Sequence, residues 1–81
     1  MNIVEYAEFI VKSITKEPDL VKVTSFGGDE GMTIIEIIVC ENDMGAVIGR
    51  EGKMASSIRT LIQAYAYLHN VGDVKINIDS F

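Results

Sequence analysis

The chain has 81 residues, 48% of them hydrophobic, and carries a net charge of −5. That length holds one small domain, residues 1–81, and excludes a second core. A single cysteine, Cys40, and a single histidine, His69, exclude an internal disulfide and a Cys/His zinc site within the chain.

Residues 3–17 read as an amphipathic helix. Ile3, Ala7, Ile10 and Ile14 recur at spacings of four and three and share one face, Asn2 can cap the start, and Pro18 ends it. Leu20 to Phe26 reads as a strand, with Val21 and Val23 alternating against Lys22 and Thr24. Gly27-Gly28-Asp29-Glu30-Gly31 is a turn cluster that should close a hairpin. Met32 to Cys40 is the strongest strand, with Ile35, Ile37 and Val39 on one face and Ile34, Glu36, Ile38 and Cys40 on the other.

Asn42 or Asp43 is then placed to cap a short helix, Met44 to Ile48. After Gly49-Arg50-Glu51-Gly52, a longer helix is expected from about Lys53 to Leu68. Ala55, Ile58, Ile62 and Tyr65 form its apolar stripe, widened by Met54, Leu61 and Leu68. Gly72 fits a helix-ending turn, and Val74, Ile76 and Ile78 alternate with polar residues in a last strand. The order α-β-β-α-α-β predicts a two-layer α+β domain, three strands in one sheet with helices packed on one face.

No basic leader precedes Glu5 and Glu8, and Glu36 interrupts the longest apolar run, so neither a signal peptide nor a membrane span is read and a cytoplasmic setting is expected. Charge is unevenly spread. Residues 1–43 hold three basic and nine acidic groups, whereas residues 44–72 hold Arg50, Lys53 and Arg59 against Glu51 alone. The one basic segment therefore surrounds Gly49-Arg50-Glu51-Gly52. Two glycines three apart permit a sharp bend and close approach of another backbone. The bend leads into a helix N-terminus, whose amides suit a phosphate. An apolar groove beside it can hold unpaired bases, which selects a single strand over a duplex.

Four letters alone are weak, because a helix–turn–helix corner needs glycine for steric reasons too. The wider context is more specific: Val47-Ile48-Gly49-Arg50-Glu51-Gly52-Lys53, Asp43-Met44-Gly45-Ala46 before it, Ser57-Ile58-Arg59-Thr60 after it, and strands on both sides. On these residues the chain resembles a KH domain of the bacterial, type II arrangement, and in particular the small single-KH family called KhpA, or YlqC-like. The resemblance implies a type II KH fold, in which the three-stranded sheet is mixed, and binding of single-stranded RNA without catalysis or cofactor. It also implies pairing with a second copy or with a larger KH-containing protein of the Jag type, and a role in cell shape and division. Carried over by position, Gly49, Arg50, Glu51 and Gly52 form the G-x-x-G, flanked by Ile48, Lys53, Ile58 and Arg59. The family pattern favours basic or neutral middle residues, so Glu51 is a departure that places a carboxylate near a phosphate.

Competing motifs fail. Gly52-Lys53 is not a P-loop end, since Val47 stands where glycine is required and Met54 where Ser or Thr is required. His69 reads as a charge suited to a helix C-terminus, Ser56 and Ser57 as surface residues without a base, and Cys40 as a small buried residue. No catalytic set, metal set or small-molecule site is read. Tyr65 falls on the core stripe, while Tyr67 should be exposed as a base-stacking or protein-contact surface; Phe81 is open between the same roles. Two functions stand beside each other: an RNA-binding KH module, and a protein-interaction domain on a KH scaffold with little RNA affinity. The acidic net charge and Glu51 motivate the second.

Overall fold

The computed structural model describes residues 1–27 and 31–81. The elements run α1 (Ile3–Lys12), β1 (Lys22–Gly27), β2 (Thr33–Val39), α2 (Glu41–Ile48), α3 (Lys53–Leu68) and β3 (Val74–Ser80), with short 3-10 turns at Pro18–Leu20 and Arg50–Gly52. Of the turn cluster expected between the first two strands, Gly28, Asp29 and Glu30 lie outside the described residues.

The sheet order is β1-β2-β3. β1 pairs antiparallel with β2, from Lys22 opposite Ile38 to Gly27 opposite Thr33. β3 pairs parallel with β2, from Thr33 opposite Val74 to Val39 opposite Ser80. A parallel pair needs a long crossover, and α2 and α3 supply it. Side chains alternate across β2, so Ile35, Ile37 and Val39 are wholly buried while Ile34 and Ile38 remain half-buried on the face away from them. The buried set meets Ala7 and Val11 of α1, Val47 of α2 and Ile58 and Ile62 of α3. Each fully buried isoleucine contributes roughly 1.5–3 kcal/mol. This is the α+β fold expected, a mixed three-stranded sheet backed by helices. No helix among the described residues is long and apolar enough to cross a membrane.

Several expectations need correction. α1 ends at Lys12, not at Glu17. Its start is as expected: Asn2 Oδ1 accepts the Glu5 amide at 2.8 Å, and Glu5 accepts the Asn2 amide in return. At its other end the Ser13 hydroxyl donates to the Phe9 carbonyl, and the amides of Lys16 and Glu17 turn away to the carboxylate of Asp43. Within α1, Val11 is fully buried and Ile3 and Ile10 pack only partly against the core, as does Ile14 just beyond the helix end. β1 starts at Lys22 because Leu20 belongs to the 3-10 turn that Pro18 opens, and Leu20 is exposed.

α2 begins at Glu41 with Cys40 as its cap, and neither Asn42 nor Asp43 caps it. Cys40 is only partly buried, and its thiol donates to Asp43. The expected widening of the α3 stripe does not occur: Met54, Leu61 and Leu68 are exposed, because the sheet covers only the face carrying Ala55, Ile58, Ile62 and Ala66. α3 is closed by Asn70, not Gly72. Asn70 takes φ of 56°, and the Val71 amide reaches back to the Ala66 carbonyl at 2.9 Å, a Schellman closure.

A candidate nucleic-acid interface

The candidate site is the bend joining α2 to α3. Three of its four residues have positive φ: Gly49 at 76°, Glu51 at 57° and Gly52 at 74°. A β-carbon costs energy in that region, so the bend needs glycine where contacts are also close. Gly49 is such a place. A β-carbon there would lie 2.5 Å from Met54 Cβ and 2.8 Å from the Met54 nitrogen. Gly52 differs, since a β-carbon would meet nothing within 4 Å. Gly49 lets the bend pack onto the start of α3, while Gly52 leaves open space where another backbone can approach.

The bend is held by the Gly49 amide on the Gly45 carbonyl at 2.9 Å and the Gly52 amide on the Gly49 carbonyl at 3.2 Å. Arg50, Glu51 and Lys53 are exposed at its surface. α1 and α2 carry acidic residues in their first turns, but α3 carries none there and has no side-chain cap. Lys53 stands at its first position, where a cation opposes the helix dipole. A bound anion would relieve that arrangement. Arg50, Lys53 and Arg59 enter no ion pair among the described residues; Lys12 and Glu8 form one at 3.3 Å on the surface of α1.

The flanking residues divide by place. Ile48 is half-buried beside the bend and Ile58 is buried at 1% exposure, so Ile58 anchors α3 beneath the site. Arg59 is half-buried and its Nε donates to the Ile76 carbonyl of β3 at 3.4 Å. That bond spans α3 and β3 and leaves the outer guanidinium nitrogens free of any bond within the described residues.

A residue at the other end of α2 was read differently from sequence. Asp43, 1% exposed, sits in the first turn of α2 and accepts the Lys16 amide at 2.8 Å, the Glu17 amide at 2.9 Å and the Cys40 thiol at 3.3 Å. The Lys16 amide does most to hold its carboxyl below the ordinary value of 3.8. Burial opposes this, and the Glu17 amide and Cys40 thiol add to the lowering. Asp43 thus ties the helix that ends in the bend to the segment after α1. No local signal shows this, since an Asp at a helix start ordinarily reads as a cap.

Comparison with known proteins bears on the family and the fold. The family described as KhpA/KhpB, KH domain, matches residues 4–78. RNA-binding protein KhpA of Borreliella burgdorferi is 45% identical over 65 residues, covering 80% of this chain and 78% of that protein. RNA-binding protein KhpA of Clostridium perfringens is 41% identical over 66 residues, covering 82% and 87%. Among solved structures, Era in complex with MgGDPNP and nucleotides 1506–1542 of 16S ribosomal RNA superimposes with a TM-score of 0.66 at 25% identity. That match covers 96% of this chain but only 29% of Era, so the likeness concerns under a third of that protein. With residues 4–78 matched by the family and a relative 45% identical over 80% of the chain, the chain belongs to the KhpA/KhpB KH-domain family.

Proposed function

We propose that residues 1–81 act as one KH unit that binds single-stranded RNA, with Gly49-Arg50-Glu51-Gly52 as the contact for its backbone. The observation that carries this reading is the outward bend ahead of α3, with open space over Gly52 and cations at Arg50 and Lys53. Gly52 admits the sugar-phosphate backbone, and Arg50 and Lys53 neutralise phosphates. Arg59 stands along the path toward β3. Ile48 borders the apolar groove for the bases, and Ile58 holds α3 in place below it. The family is one of RNA-binding proteins and not of enzymes.

Two or three phosphate contacts give weak binding, so a second KH unit raises the effective affinity by avidity. That unit is a second copy of this chain or a larger KH-containing protein of the Jag type. Exposed Leu61 and Leu68, one face of α3 at a spacing of seven, support a protein contact there. A cytoplasmic setting and a role in cell shape and division follow from the family resemblance.

Backbone amide NMR tests the reading. Titration with short single-stranded RNA should shift residues 48–59. No shift there at high RNA concentration leaves the protein-interaction alternative, which Glu51 and the net charge of −5 favour. Light scattering over a range of concentrations tests self-association, and a monomer throughout removes the homodimer.

A further inference from the structure

One concavity among the described residues lies away from the bend. It is a cleft of about 660 Å³ at the far end of α3, bounded by Gln63, Tyr67, Asn70, Gly72, Asp73 and Val74. We propose that this cleft is a nucleobase-binding subsite, in which Tyr67 stacks on one unpaired base of an RNA strand that continues past the bend. This deepens the RNA-binding reading and rests on it.

The lining selects a base over other ligands. Tyr67 is 83% exposed, so its ring is free to stack and serves no packing role. Gln63 and Asn70 offer carboxamides, each with a donor and an acceptor for a base edge. Among the described residues no cation lines the cleft, and it carries Asp73, which disfavours a phosphate and suits an exocyclic amine.

Its walls are fixed before any ligand arrives. Asn70 is locked by the closure of α3, and the Asp73 carbonyl accepts the Thr33 amide at 2.9 Å. The cleft also lies on one path with the bend. Arg59, Gln63 and Tyr67 follow at spacings of four along one face of α3, and Arg59 already reaches β3, the strand whose first residue, Val74, lines the cleft. From Lys53 to Tyr67 the helix rises about 21 Å, a span for a strand of several nucleotides.

The test compares single-stranded tetranucleotide and octanucleotide RNA pools on the wild-type chain, Tyr67→Ala and Tyr67→Phe. The octanucleotides should shift the amides of Gln63, Tyr67, Asn70 and Gly72, and the tetranucleotides should leave them still when they occupy the bend. Tyr67→Ala should weaken octanucleotide binding about five-fold or more and leave tetranucleotide binding unchanged, while Tyr67→Phe keeps both. Octanucleotides that shift residues 48–59 without moving the cleft overturn the subsite and leave the bend standing. Octanucleotides that shift the cleft without the bend overturn both the bend as the contact and the cleft as a continuation of its strand. Failure of both RNAs to shift either region overturns both readings. Cleft shifts that appear on raising protein concentration without RNA mark a protein contact and also overturn the subsite.

Discussion

Gly49 and Gly52 share a motif but not a physical burden. Alanine at Gly52 meets open space and carries only the positive-φ cost, about 1–2 kcal/mol. Alanine at Gly49 adds a clash with Met54 and should cost about 3 kcal/mol in all, read from urea denaturation midpoints. Gly52→Ala should then impair RNA binding with the milder effect on stability. Glu51 bears strain of its own, at φ of 57°. Glu51→Gly should leave stability equal or higher and tighten RNA binding, by relieving that backbone and removing a carboxylate from the phosphate path; weaker binding would show that the carboxylate takes part in the contact. Both glycines and the two cations were legible in the sequence. Their division of labour was not, because it depends on where Met54 lies in space.

At the scale of elements, the periodic segments β2, α3 and β3 could be read directly, since one repeat decided each. The end of α1 and the start of α2 could not. The segment between α1 and β1 is held by a contact distant in sequence: Asp43 accepts the amides of Lys16 and Glu17, 27 and 26 residues away in the chain. Because the folded carboxyl is held below its ordinary value of 3.8, its contribution to stability is complete above that value and is lost as pH falls below it. Urea midpoints measured from about pH 5 to pH 2 should therefore drop more steeply for the wild type than for Asp43→Asn, which lacks the charge. Parallel curves would show that the carboxylate is not held by those amides. α1 and α3 are joined by a second device, the ring of Tyr65 stacked between Tyr6 at 4.7 Å and His69 at 4.1 Å, with the Tyr65 hydroxyl donating to the Met1 carbonyl. His69 thus contributes a stacked ring at the end of α3. Tyr65→Ala should cost about 2 kcal/mol in chemical denaturation.

For the whole molecule, the acidic balance sets the working conditions. A chain with net charge −5 repels RNA at long range, so attraction is local to the bend and short-ranged at physiological salt. The dependence of log affinity on log salt should have a slope of roughly −1.4 to −2.1, for two or three contacts at about −0.7 each. The measurement that bears most directly on the account is the affinity of the wild-type chain for a labelled single-stranded octanucleotide, set against that of an Arg50→Asp, Glu51→Asp double variant. Fluorescence anisotropy at low salt should show a loss of roughly ten-fold or more while the variant melts as the wild type does. Equal affinity in a folded variant would contradict the assignment of the bend as the RNA contact.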